Sequence, residues 1–310
     1  MSNLFAFDDY NVTKIRARFP SLTIKDNGAN RIYLDNPGGT QICQSSLDQI
    51  QNYLLRNNAN SGGTFRTSLE TDAVLLKTRV AMSEFLNAAT EKEIVFGQNM
   101  TSLTFAISHS LTKWVKPEHE IIVTRLDHDA NIAPWLQLSD ETGAKIRWID
   151  FDQRDCTLNL KNFEKLLSDK TKLVAVGYAS NSVGTINPIK EIAAIAHSVG
   201  ALVFVDAVQY APHAPIDVQD IGADFLVCSP YKFFGPHQGV LWAKYELLDS
   251  LPAYKVRPAE NKPPHKFETG TQSHEGQAGT LGALEHIAWI GNKFGHYYAN
   301  QFSEMSHRRL

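Results

Sequence analysis

Cysteine is scarce in this chain: three in 310 residues, Cys43, Cys156 and Cys228, far apart and without CxxC spacing. That excludes a disulfide framework or a thiolate zinc site, both of which need clustered cysteines. An excess of one charge is also lacking. Lys and Arg number 30 against 33 Asp and Glu, for a net charge of −3, so there is no basic surplus to coat nucleic acid or an anionic membrane. No uninterrupted apolar run approaches the roughly 20 residues of a membrane-spanning helix. The N-terminus, MSNLFAFDDYNVTK, has no basic-then-apolar leader pattern. Internal repeats and low-complexity tails are missing too. These absences lead us to expect a soluble, cytoplasmic protein that binds neither nucleic acid nor membrane. The chain does have apolar residues, 43% of it, enough for a sizeable core in one large domain or two unequal ones.

The first 30 residues read as a mixed N-terminal segment, with one short helix over Val12–Phe19 stopped by Pro20. RIYLD (Arg31–Asp35) predicts a strand entering the turn-rich NPGGT. Amphipathic helices are expected over Ser45–Asn57 and Asp72–Leu86, separated by the polar loop NANSGGTFRTS. From residue 93 a rhythm sets in. EIVF, EIIVT, KIRWID, KLVAVGY and ALVFVD read as strands, and the first four are each followed by a helical stretch; FLVCS and GVLWAK read as two further strands. Leu173–Val176 and Leu202–Val205 are apolar without alternation, as strands covered on both faces should be. The order predicts an α/β fold, a largely parallel sheet between helices. Beyond about residue 250 a polar, Pro-rich stretch leads into a helix over Gln277–Ile290 and a further helical stretch over Phe294–Leu310.

In open α/β sheets ligands bind just past the carboxyl ends of the strands. The polar residues at those positions are Asn99–Ser102, Asp127–Asn131, Asn181–Gly184, Asp206 with Gln209, and Ser229–Lys232. Asp206 ends an apolar strand, where a carboxylate serves as a helix cap, an ion-pair partner or a ligand. Lys232 is flanked by Tyr231, Phe233 and Phe234, a less ordinary setting than the solvated surface usual for lysine. LDHDAN does not read as a metal site, because neighbouring side chains diverge and no further His or Cys has ligand spacing. His128 at a loop opening could instead lie flat on a planar ligand. The stretch from Asn99, opening a helix straight after a strand, offers free N–H groups and hydroxyls to an anion or simply caps the helix. No strand is followed by G-x-G-x-x-G, and neither GGT at 38–40 nor GGTF at 62–65 carries a P-loop lysine, so nicotinamide dinucleotides and ATP are poor fits. Pyridoxal 5'-phosphate uses the whole set: a lysine for its aldehyde, a carboxylate for its ring nitrogen, a phosphate cup at a helix start and a planar group on its face.

On YLDNPGG, DHDANIAPW, ASNSVGTINPI, VFVDAVQ, ADFLVCSPYKFFGPHQGVLW and FETGT, in that order, the chain resembles the class V aminotransferase family of pyridoxal-phosphate enzymes. It is most similar to the cysteine desulfurase and selenocysteine lyase branch. The resemblance runs from about Tyr33 past Thr271. It implies fold type I, a three-layer αβα domain on a mostly parallel seven-stranded sheet over residues 31–275. Residues 276–310 would begin a small C-terminal domain whose larger part lies beyond residue 310. By position, Lys232 matches the family's Schiff-base lysine, Asp206 the partner of the pyridine nitrogen, and His128 the stacking, proton-moving histidine. Asn181 and Gln209 match amides near the phenolic oxygen, and Thr101 and Ser229 match phosphate ligands, with Met100 beside Thr101. Thr271 matches a threonine that reaches the phosphate of a neighbouring subunit, which implies a homodimer.

Two departures bear on the activity. Tyr231 replaces the histidine that desulfurases carry before the lysine, which keeps a hydrogen-bond donor and loses a positive charge; tyrosine there also occurs in kynureninase-like members. No cysteine stands where the desulfurase persulfide carrier should, and Cys228, within an apolar strand, reads as core. The expected function is a pyridoxal-phosphate enzyme acting on an amino acid by desulfurase- or lyase-like chemistry, with an unidentified sulfur acceptor. Transamination, epimerisation, kynureninase-like hydrolysis and a truncated, non-catalytic cofactor-binding protein remain the alternatives.

Overall fold

The computed structural model describes residues 9–294; the helical stretch expected after Phe294 lies outside them. Contacts divide the chain into two compact units. One gathers the described parts of Met1–Glu84, Pro230–Pro236 and His274–Leu310, the other Phe85–Ser229 and His237–Ser273. In chain order the first unit opens with α1 (Asp9–Arg16), the strands β1 (Lys25–Asp26) and β2 (Ala29–Asn30), α2 (Gln44–Arg56) and α3 (Arg66–Leu86, whose last two residues enter the second unit). The second unit supplies β3 (Ile94–Gly97), α4 (Met100–Leu111), β4 (Glu120–Thr124), α5 (Ala133–Thr142), β5 (Lys145–Ile149), α6 (Leu160–Leu166) and β6 (Thr171–Gly177). It continues through α7 (Ile189–His197), β7 (Leu202–Asp206), β8 (Phe225–Cys228), β9 (Gly239–Ala243) and α8 (Tyr245–Ser250). The chain returns to the first unit in α9 (His274–Phe294).

The seven strands β3 to β9 of the second unit form one sheet in the order β3-β9-β8-β7-β6-β4-β5. Its pairs are parallel except those made by β9, which runs antiparallel to both β3 and β8. The connection explains the exception: β8 and β9 follow one another without a crossover helix, and parallel neighbours require one. The strands alternate although their sequences do not. Leu173, Ala175, Phe204, Phe225 and Val227 share a core with Leu103 and Ile107 of α4 and Trp135 and Leu138 of α5. Val174, Val176, Val203 and Val205 point the other way and are as fully buried. α7 packs on β7 through an apolar stripe of Ile189, Ile192, Ala193 and Ala196. Helices therefore cover both faces, the expected αβα layering, with each large buried side chain contributing about 1.5–3 kcal/mol.

In the first unit α2 packs on α9 at a backbone separation that only glycine allows. A Cβ on Gly282 would lie 2.3 Å from the Ser45 carbonyl oxygen. The Ser45 and Ser46 hydroxyls donate to the carbonyls of Gly282 and Gly279, both at 2.7 Å. Beside this contact His286 is fully buried against Phe19, Phe234 and Trp289. Its Nδ1 accepts from Arg18 Nε at 3.1 Å. Burial first, and then the Arg18 charge, push its pKa down to about 4.

The N-terminal part corrects the sequence reading. RIYLD forms no strand: Ile32 and Leu34 are 78% and 90% exposed, and no strand among the described residues pairs with them. Its polar members are tied locally instead. Arg31 clamps Asp26 through two nitrogens at 2.8 and 2.7 Å, and the Tyr33 hydroxyl donates to the Ser21 carbonyl at 3.1 Å. The strands form just upstream, turned by Asn27 and Gly28 with φ of 51° and 86°, a hairpin turn that asparagine and glycine favour. The first helix spans Asp9–Arg16, earlier than its apolar residues indicate. α3 begins six residues before Asp72 because its first turn closes the Gly-rich loop. The Ser68 hydroxyl donates to the Asn60 carbonyl at 2.6 Å and accepts from the Gly63 N–H at 2.7 Å.

Candidate active site

Sheet direction fixes where the second unit's candidate residues gather. β4, β6, β7 and β8 are parallel, and two antiparallel steps through β9 make β3 parallel to them. All five end on one edge. That edge carries Met100 and Thr101 at the start of α4 after β3, His128 after β4, Asn181 after β6, Asp206 and Gln209 at and after the end of β7, and Ser229 after β8. Thr271 is exposed on the segment between Glu268 and α9.

α4 starts from a reciprocal cap. Asn99 Oδ1 accepts the Ser102 N–H at 2.8 Å, and Ser102 Oγ accepts the Asn99 N–H at 3.3 Å. The N–H groups of Met100 and Thr101 belong to the first turn, which has no intrahelical acceptors. The Thr101 hydroxyl turns to the Met100 sulfur at 3.4 Å. A Cβ on Gly239 would lie 2.3 Å from the Asn99 carbonyl carbon, so β9 begins directly beneath this helix start. The Ser229 hydroxyl is buried, with no hydrogen-bond partner among the described residues.

Asp206 is buried and pairs in register with Gly177 of β6 and Val227 of β8. Its Oδ1 accepts the Val208 N–H at 2.9 Å. Asn181 is half-buried in the turn after β6, and the half-buried Gln209 has its amide nitrogen 3.3 Å from His213 Nε2. His128 is exposed and caps the following 3₁₀ turn, Asp129–Asn131. Its Nδ1 accepts the Ala130 N–H at 3.0 Å, which leaves the proton of the neutral ring on Nε2.

The sequence reading gave Asp127 no role beyond membership of the loop, and the structure makes it the hub of the β4 edge. Its carboxylate accepts from the Thr124 hydroxyl at 2.7 Å, the Gly177 N–H at 2.9 Å and Asn131 Nδ2 at 2.7 Å. Burial, which outweighs these three bonds, and the charge of Asp206 push its pKa up to about 7. A threonine at a strand end with an acidic residue three positions on is the only sequence signal for it.

In the first unit Lys232 ends the 3₁₀ turn Pro230–Lys232 and is 7% exposed. Its ammonium donates to the Pro37 carbonyl and lies 4.6 Å from the Tyr231 ring centroid. The turn is clamped by Thr40. The Thr40 N–H and hydroxyl both donate to the Tyr231 carbonyl, at 3.0 and 2.9 Å, while its Oγ1 accepts the Phe234 N–H at 2.8 Å. Phe234 takes φ +71°, a strained conformation for a bulky residue. NPGGT, which reads only as a turn in the sequence, is the seat of the lysine's turn. Gly39, at φ 136°, passes so near the Tyr231 ring that an added Cβ would lie 3.2 Å from it.

These residues fit a phosphorylated aldehyde with a ring nitrogen. In the second unit the unpartnered Ser229 hydroxyl and the α4 start suit a phosphate and Asp206 suits a ring nitrogen; in the first unit the buried Lys232 amine suits an aldehyde. An α/β fold with this residue set defines a pyridoxal-phosphate enzyme class, and the comparisons with known proteins specify it. The class-V aminotransferase model matches residues 32–310. A probable cysteine desulfurase of Synechocystis sp. is 34% identical over 301 residues, 92% of this chain and 71% of the relative. Another from Streptomyces coelicolor is 36% identical over 297 residues, 89% of this chain and 71% of the relative. The solved structure of a cysteine desulfurase from Thermococcus onnurineus NA1 superimposes with a TM-score of 0.81 at 28% identity, covering 98% of this chain and 77% of that one. The chain belongs to the class-V aminotransferase family, whose enzymes depend on pyridoxal 5'-phosphate.

Proposed function

We propose that the chain is a pyridoxal-phosphate enzyme that acts on an amino acid, with desulfuration of cysteine as its reaction. The observation that carries the reading is the strand-end edge where Asp206, His128, the α4 start and the unpartnered Ser229 hydroxyl meet. The bound cofactor supplies an electron sink for a bond broken at the substrate's Cα. Asp206 holds a proton on the ring nitrogen, and Ser229, Thr101 and the first α4 amides hold the phosphate. Tyr231 stands where a charged phosphate ligand is usual and donates a neutral hydrogen bond. Asn181 and Gln209 would serve the phenolic oxygen, and Lys232 would hold the aldehyde and supply the base for the Cα proton. His128 presents Nε2–H to shuttle protons. In this reading Thr271 reaches the phosphate of a second copy in a homodimer, and three unpaired cysteines suit a reducing cytoplasm.

One observation favours keeping a second reaction in view. Cys43 and Cys228 are buried, and burial pushes the Cys228 thiol well above its ordinary range. Neither buried cysteine is placed to take sulfur from a substrate, which keeps loss or exchange of a different group in view. The test is the visible spectrum of protein mixed with pyridoxal phosphate, beside Lys232→Ala, with borohydride fixation and mass analysis at residue 232. A band and a fixed adduct in the parent alone are expected. With cysteine and dithiothreitol, alanine and sulfide in equal amounts are expected; turnover of alanine or kynurenine instead would replace the desulfurase reading.

A further inference from the structure

His128 could do its proposed work only if its ring kept one orientation and one tautomer, yet it is exposed and sits on a loop. Its fixed points are its neighbours. On one side, Asp127 fastens the loop to two strand ends at once: the Thr124 hydroxyl closes β4, and the Gly177 N–H closes β6. The fit at β6 is tight, since a Cβ on Gly177 would lie 3.0 Å from Asp127 Oδ1. On the other side, Asn131 is fully buried, and its N–H returns to the His128 carbonyl at 2.9 Å. Its side chain closes the loop on Asp127 Oδ2. The orientation of that amide is set in turn, because Asn131 Oδ1 accepts the indole N–H of the buried Trp135 at 3.2 Å. Every group reaching the Asp127 carboxyl is therefore a donor that cannot reverse without losing another bond, Thr124 excepted. Thr124 and Gly177 donate to Oδ1 and Asn131 to Oδ2, so both oxygens are engaged.

We propose that Asp127 is a positioning residue for His128. It pins the residue before the histidine to the ends of β4 and β6, so that the turn at 128–131 holds the imidazole with Nδ1 on the Ala130 N–H and its proton on Nε2. This rests on the reading of His128 as the imidazole that faces the cofactor, and the coupling between the two residues can be measured without it. Asp127→Asn keeps the shape and turns one acceptor into a donor, facing either Asn131 Nδ2 or the Gly177 N–H.

The first measurement uses cofactor-free protein carrying 15N-histidine, with the His128 signals assigned by His128→Gln, at a pH where the ring is neutral. A single tautomer with the proton on Nε2 is expected in the parent, and a mixture in Asp127→Asn. The second uses the holoenzyme and reads visible circular dichroism of the bound cofactor and exchange of the alanine Cα proton with solvent. Asp127→Asn should keep the absorption band but lose the dichroism, and should slow exchange about 10- to 100-fold, the scale of a misplaced reacting group. Asp127→Glu should restore part of both, and adding His128→Gln to Asp127→Asn should cost little more than either alone. An unchanged His128 tautomer, or losses that multiply in the double variant, would overturn the proposal. If Asp127→Asn does not fold, Trp135→Phe is the milder probe: it frees the Asn131 amide and should shift the tautomer the same way by less, and no shift would overturn the proposal. A parent without a visible band would sink the cofactor reading alone, since the histidine spectrum still decides the role of Asp127.

Discussion

At the scale of single residues, a half-buried and a buried titrating group give the two units opposite responses to pH. Asp127 has a folded pKa of about 7 against an ordinary 3.8, so its stabilising share is complete below 3.8 and is lost as pH rises through 7. His286 has a folded pKa of about 4 against an ordinary 6.5. Its share is complete above 6.5 and is lost as pH falls through 4. Between roughly pH 4 and 7 the amides of β4 and β6 should therefore exchange faster with rising pH, after correction for intrinsic exchange, while those of α9 should become more protected. Asp127→Asn should flatten the first trend and leave the second; the reverse pattern would mean that other groups dominate. Neither residue was legible as a titrating group in the sequence. LDHDAN shows a histidine between two aspartates, and only the folded loop reveals that the first aspartate is the one bonded to the sheet.

At the scale of elements, the sequence was most informative where burial repeats. β4, β6 and β7 fall within a residue or two of the runs EIIVT, KLVAVGY and ALVFVD, because a strand covered on both faces has no freedom to be polar. RIYLD is apolar at its three middle positions and forms no strand, because an apolar run does not say whether a partner strand exists. The antiparallel run of β9 was equally hidden, since direction follows from the connection and not from the strand's own residues. The approach of α2 to α9 is a third case: Gly279 and Gly282 look like weak helix formers in sequence, and they are what lets the two backbones meet. Gly282→Ala places a methyl group 2.3 Å from the Ser45 carbonyl oxygen and should cost about 1–3 kcal/mol or more. Thermal melting with α9 exchange as the local probe would detect it, and an unaltered melt would mean that the helices can separate at no cost.

At the scale of the whole molecule, the resemblance carried by the strand-end motifs covered the sheet, the cofactor and the candidate residues together. It could not supply the division into two units, because that depends on which distant segments touch. The Ser46–Gly279 hydrogen bond spans 233 positions in sequence, whereas every strand of the large sheet lies between residues 94 and 243. This separation has a consequence during biosynthesis. As the chain leaves the ribosome, the sheet's last strand emerges well before α9, so α2 must wait, its apolar face bare, for a partner made much later. Contacts of such long range form slowly, and waiting surfaces attract chaperones or other chains. Ribosome-stalled chains that have released residue 273 but not α9 should be cut by protease within α2, and chains that have released α9 should resist. Equal resistance in both would mean that α2 is sheltered by something other than α9. α9, made long after α2, is thus the helix that ends its vulnerability.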